Sequence, residues 1–134
     1  MIKGEHPRPD FMRNDWVCLN GPWDFAFDPE DQGEKERWQD GKCLSQKITV
    51  PFCCECEASG IGVRGGPTVF WYHKEIEIPK GFEGKRVFLN FCAVDYHAKV
   101  WANGNLVAEH RGGYTPFSAE LDRKSTRLNS SHRL

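Results

Sequence analysis

Hydrophobic positions in this chain alternate with period two, and no stretch sustains the 3.6-residue period of a helix of normal length. In "WDFAFD", Trp23, Phe25 and Phe27 alternate with Asp24, Ala26 and Asp28, the pattern of a strand with one buried face. "KITVPF" is a shorter strand ended by Pro51. The longest signal is "TVFWYHKEIEIP", with Phe70, Tyr72, Ile76 and Ile78 on one face and Val69, Trp71, His73, Glu75 and Glu77 on the other, closed by Pro79. "RVFLNFCAV" is apolar at almost every position and predicts a central strand covered on both faces. In "AKVWANGNLVAEH", Asn103 and Gly104 accept the positive φ values of a two-residue primed turn, which predicts a hairpin. After the turn "GGYTPF", "SAEL" is one more short strand.

Between these strands lie segments of another character. "HPRPD" near the start predicts an extended covering arm, because proline fixes φ and donates no hydrogen bond. Residues 29–42 are polar except for Trp38 and read as a surface excursion anchored by that ring, with room for one loose helical turn between Gly33 and Gly41. "ASGIGVRGGP" is too glycine-rich for anything but an ordered loop. Six or seven short strands with turns at regular spacing predict an all-β fold, a two-sheet, jelly-roll-like β-sandwich.

With 134 residues, 39% of them hydrophobic and 13% aromatic, there is material for one globular core and no more. Formal net charge is −1; setting aside the four basic and one acidic residues of 122–134 leaves 14 basic against 18 acidic. A mildly acidic body argues against nucleic acid as a partner. No run approaches a membrane span and the first residues do not resemble a secretory signal, so the expected location is cytoplasmic, with no membrane partner. In that compartment the six cysteines are expected as free thiols. "CCEC" at Cys53 to Cys56 is one crowded cluster without the second ligand pair of a structural zinc site, so no metal and no cofactor is expected.

Candidate chemistry is sparse. Glu75, Glu77, Asp95, Glu109 and Glu120 sit mostly at outward strand positions, where solvated edge acids are the simplest reading. No nucleophile elbow occurs, no phosphate-cradling glycine loop precedes a helix, and His73 and His110 lack a local partner pattern. Five tryptophans and three tyrosines allow sugar stacking and equally allow a well-filled core; Trp23 and Trp71, falling in strand alternation, favour core.

"RNDWVCLNGPWDFAFD", "ITVPF", "SGIG", "VFWYHKEIEIP" and above all "VFLNFCAVDYHAKVWANGNLVAEHRGGYTPFSAEL" resemble, in order, the N-terminal sugar-binding domain of glycoside hydrolase family 2, across about residues 6 to 121. "HRGGYTPF" is most similar to the β-galactosidase and β-glucuronidase branches. The resemblance implies a β-sandwich domain over 1–121, of galactose-binding-like jelly-roll type and incomplete at its C-terminal end. It also implies an assembly in which an immunoglobulin-like sandwich and a TIM barrel complete a retaining β-glycoside hydrolase. The catalytic glutamates lie on that barrel, so no catalytic residue transfers to this chain, which is expected to be inactive alone. The implied partners are a β-galactoside or β-glucuronide met through the barrel, and the other domains of the same assembly. By position, Asp95, Tyr96, His110, Arg111 and Tyr114 are the candidates for the rim of the substrate pocket. Two alternatives stand beside this: the rim turn is only a glycine-permitted turn packed by Tyr114 and Phe117, or the chain is a free-standing carbohydrate-binding module. Cys92 departs from the family pattern, which commonly has glycine there, and adds volume at a site expected to be crowded.

Residues 122–134, "DRKSTRLNSSHRL", have no aromatic residue and four basic side chains. From Asp122 to His132 they resemble the conceptual translation of a sequencing-library adapter. They are therefore expected to be a non-native, disordered tail with no stable tertiary contacts, Leu128 included, leaving a sheet that has lost its closing strands and exposes an unpaired edge.

Overall fold

Alternating large and small residues make each strand a one-sided apolar strip, and the strips need a second layer to bury them. The computed structural model describes residues 16–82, 84–94, 96–113, 115–122 and 127–133. Eight strands occur among them: β1 (Gly21–Phe27), β2 (Gln46–Val50), β3 (Val69–Glu75), β4 (Val87–Phe91), β5 (His97–Ala102), β6 (Asn105–Arg111), β7 (Phe117–Leu121) and β8 (Arg127–Arg133). The only helical pieces described are 3-10 turns of three residues. A six-stranded sheet has the order β2-β1-β3-β8-β5-β6, and β4 and β7 form a two-stranded sheet. Every pairing is antiparallel. The sandwich is as the alternation predicts.

The core lies between the sheets. Trp23, Phe25, Ile48, Phe70, Val100 and Leu128 of the large sheet meet Val87, Leu89 and Leu121 of the small one. Phe25, at 0% exposure, is ringed by Phe27, Phe70 and Tyr72 at centroid distances of 5.0, 5.7 and 5.3 Å. Burying each such side chain contributes about 2–3 kcal/mol. The Asn103–Gly104 hairpin forms, with φ of 49° and 82° at the two turn residues.

The polar excursion after β1 becomes a third layer, on the outer face of the large sheet. Trp38 and Leu44 from this loop pack with Trp71 and Trp101 of the sheet. Trp71 stacks on Trp101 at 4.9 Å and 20° and meets Trp38 at 5.8 Å. Asp28 anchors the loop: 2% exposed, it accepts hydrogen bonds from the backbone N–H of Gln32 and Gly33 and from Trp71 Nε1. Gly33 lies flat on the Trp71 ring, where a Cβ would come within 2.3 Å of Nε1. Thus β3 is covered on both faces, Phe70 on the inside and Trp71 on the outside.

Three expectations need correction. "RVFLNFCAV" is not a central strand: β4 belongs to the two-stranded sheet, and Phe88 is 45% exposed with Arg86 over its ring. Cys92 is exposed, so its side chain meets no crowding. The largest correction concerns 122–134, expected to be disordered. Residues 127–133 form β8, the strand that joins the two halves of the large sheet by pairing with β3 from Val69 to Glu75 and with β5 from His97 to Ala102. Leu128 is 1% exposed in the core. The polar side chains of β8 are absorbed by bonding: Asn129 meets His73 Nδ1 and donates to the Gln39 carbonyl, and Ser130 bonds His132 Nε2 at 2.8 Å. Short polar residues suit a strand between two crowded aromatic neighbours, and β3 and β5 would otherwise carry open backbone edges.

Candidate functional site

The β5–β6 hairpin has two ends, and the one opposite the Asn103–Gly104 turn holds three of the rim candidates, Tyr96, His110 and Arg111. His97 is opposite Arg111 and Ala98 opposite His110 across the ladder. The Gly112 N–H donates to the Tyr96 carbonyl at 2.8 Å, tying the strand entry to the strand exit. Tyr96, His110 and Arg111 are therefore brought together; Asp95 and Tyr114 lie outside the described residues. Tyr96 is 52% exposed and Arg111 is exposed as well, so both face solvent at this end.

His110 plays a different part. Its ring stacks on Phe117 at 4.5 Å and 8°, and Phe117 stacks on Phe91 at 4.7 Å and 9°. This column joins β6 of the large sheet to β7 and β4 of the small one. Thr115 Oγ1 bonds His110 Nε2 at 3.1 Å, while Nδ1 is buried without a partner among the described residues. Gly112 turns the chain at a φ of 128°, where a Cβ would come within 3.2 Å of Thr115 Oγ1. The turn thus favours glycine at this position, and Phe117 is half-buried against the core. His110 and Phe117 are thus taken up by packing, while Tyr96 and Arg111 are exposed.

His97, which the sequence reading passed over, lies beside them. Its Nε2 donates to Glu109 Oε1 at 2.8 Å, and this hydrogen bond holds the Glu109 carboxyl below the ordinary range, with Lys99 and Arg111 adding attraction. Glu120 is lowered in the same way by the two-pronged contact from Arg86. A general acid needs a raised pKa and a free proton, and both acids are held in the opposite sense. Among the described residues no group of three His, Cys, Asp or Glu side chains converges as a metal site. A shallow depression of about 410 Å³ lies elsewhere, beside Trp23, Asp24, Lys47, His73 and Lys74. Its cations are committed: Lys47 pairs with Asp24, and Lys74 donates to the Pro22 carbonyl over the Trp23 ring.

The aromatic inventory is also decided. Trp23, Trp38, Trp71 and Trp101 are all at or below 8% exposure, so their faces are spent on packing. No tryptophan among the described residues offers a flat exposed platform.

Comparison with known proteins bears on the family and the fold. The family model described as glycosyl hydrolases family 2, sugar binding domain, matches residues 61–127, which include all five rim candidates. A β-glucuronidase of Paenibacillus borealis is 32% identical over 116 residues, 85% of this chain and 19% of that protein. A β-galactosidase of Thermoanaerobacter pseudethanolicus is 43% identical over 53 residues, 40% of this chain and 7% of that protein. Among solved structures, the β-glucuronidase of Lactobacillus rhamnosus superposes with a TM-score of 0.71 at 30% identity, over 86% of this chain and 20% of that one. A Ruminococcus gnavus β-glucuronidase in complex with D-glucuronic acid gives 0.74 at 24% identity, over 91% of this chain and 23% of that one, a likeness of fold. The chain spans about a fifth of the length of these β-glucuronidases.

Proposed function

Because the chain belongs to glycosyl hydrolase family 2 through its sugar-binding domain, we propose that it serves as the non-catalytic β-sandwich of a retaining glycoside hydrolase of β-glucuronidase type. In this role it shapes the rim of a substrate pocket whose two acting carboxylates belong to a barrel domain. The observation that carries the reading is the division of labour at the β5–β6 end. His110 is locked into the Phe91–Phe117 column, while Tyr96 and Arg111 stay exposed beside it. An exposed guanidinium next to a tyrosine suits a carboxylate-bearing sugar, which favours a β-glucuronide over a β-galactoside. The burial of four tryptophans supports a packing and shaping role over that of a free-standing module.

The test has two arms. The chain alone, titrated calorimetrically with glucuronides and galactosides and assayed with chromogenic β-glycosides, is expected to give neither saturable sub-millimolar binding nor turnover. Placed in the P. borealis enzyme in exchange for the matching segment, it is expected to support β-glucuronide hydrolysis, with Tyr96→Ala and Arg111→Ala raising KM several-fold and leaving kcat nearly unchanged. Turnover or tight sugar binding by the chain alone would overturn the proposal, as would a chimera indifferent to both substitutions.

A further inference from the structure

The segment "CCEC", Cys53 to Cys56, has no part in the reading above, and its geometry is specific. Cys53 and Cys56 are the first and last residues of a turn closed by the Cys56 N–H donating to the Cys53 carbonyl at 3.1 Å. Such a turn holds its end Cα atoms closer than about 7 Å, and a disulfide spans roughly 4.4–6.8 Å between Cα atoms. Inside the turn, Cys54 points the other way: it is 6% exposed, part of the core, and its carbonyl accepts from the Val63 N–H at 3.1 Å. Cys53 is exposed and Cys56 half-buried. The turn runs directly into the 3-10 turn Glu57–Ser59, and Ser59 Oγ donates to the Cys56 carbonyl at 2.7 Å, fixing the second thiol's backbone.

We infer that Cys53 and Cys56 form a dithiol–disulfide redox site, a C-x-x-C pair whose co-reactant is a small-molecule disulfide of the glutathione type. Cys53, the accessible member, attacks as thiolate and forms a mixed disulfide, expelling one glutathione thiolate. Cys56 then attacks the Cys53 sulfur as thiolate and expels the second. The two protein thiols lose two protons and two electrons, and the glutathione disulfide is reduced to two molecules of glutathione. Cys54 takes no part. Its thiol is packed inward, and burial, with Cys53 and Glu55 nearby, pushes its pKa up and keeps it protonated. Cys18, Cys43 and Cys92 lie outside this turn.

The experiment equilibrates the full chain over a series of reduced-to-oxidised glutathione ratios. Free thiols are blocked with one alkylating reagent, disulfides are then reduced, and the released thiols are labelled with a second. The expected result is second label on Cys53 and Cys56 together, rising with the oxidised fraction, and none on Cys54. Cys56→Ser is expected to accumulate the Cys53–glutathione mixed disulfide at least tenfold above the unaltered chain, because the resolving thiol is gone. Cys54→Ala is expected to leave the pattern unchanged. Second label on Cys54, persistence of both thiols at every ratio, or equal mixed disulfide with and without Cys56 would each overturn the inference.

Discussion

Leu128 offers the sharpest test of the architecture, because the fold depends on a strand whose residues look least like a strand. Across the ladder Leu128 is opposite Lys74 on β3 and Ala102 on β5. It is 1% exposed and belongs to the main core. Shortening it to alanine sets a small residue beside Ala102 in a centre that hydrogen bonds on both sides hold open, so the void cannot collapse. Leu→Ala changes in cores cost about 2–5 kcal/mol, and a rigid site belongs in the upper half, about 3–4 kcal/mol. A domain of this size has only about 5–15 kcal/mol in total, so this one side chain accounts for a large share. Urea unfolding followed by tryptophan fluorescence measures it well, since Trp71 and Trp101 flank β8. A lower midpoint with an unchanged slope is expected, together with loss of cooperative unfolding when the chain is cut after Leu121. A change below about 0.5 kcal/mol, the scale of an exposed surface position, would refute the reasoning and restore residues 122–134 as a solvated tail.

Other outcomes follow from the polar anchors. Asp28→Ala strips acceptors from two backbone N–H groups and from Trp71 Nε1; with about 1 kcal/mol or more for each buried orphan, thermal unfolding should show a loss of about 3 kcal/mol. In a double-mutant cycle with Trp71→Phe, the two losses should be less than additive. Gly33→Ala drives a methyl group into the Trp71 indole and should cost about 1–3 kcal/mol by the same measurement. His132 stacks on Tyr72 at 4.6 Å, and burial lowers its pKa to about 3 from an ordinary 6.5. The unfolded chain therefore takes up a proton that the folded one refuses. The stability is fully present above pH 6.5 and declines as pH falls towards 3, by at most about 1.4 kcal/mol per pH unit. Urea titrations across that window should show the decline, with a shallower slope in His132→Phe.

The physics of single residues explains what was legible in the sequence. Period-two alternation located β1 and β3, because a strand with one buried face writes that face into every second residue, and Pro51 and the turn before Ser118 located β2 and β7. Asn103–Gly104 located the hairpin, because few residues other than glycine and asparagine tolerate those dihedrals. The turn alone sets a register in which Ala102 meets Asn105, but a bulge at Val100/Trp101 shifts the pairing so that His97 meets Arg111. That shift, which no local pattern announces, decides which side chains stand beside Tyr96 at the open end of the hairpin. Covering is equally non-local. Asp28 reads as an outward polar residue until a loop folds over it, and "RVFLNFCAV" reads as buried on both faces until the small sheet leaves Phe88 outside.

By itself, then, the sequence determined the all-β class, the hairpin, the family and the aromatic core, since each is encoded by nearest neighbours or by a long ordered resemblance. Only the tertiary structure decided that "RLNSSHR" stands at the centre of the large sheet. The reason is that a strand's membership depends on the open edges it meets as much as on its own side chains. Backbone N–H and C=O groups on β3 and β5 need partners whatever sequence supplies them, and hydrogen bonds from His73 and to Gln39 make a buried asparagine acceptable there.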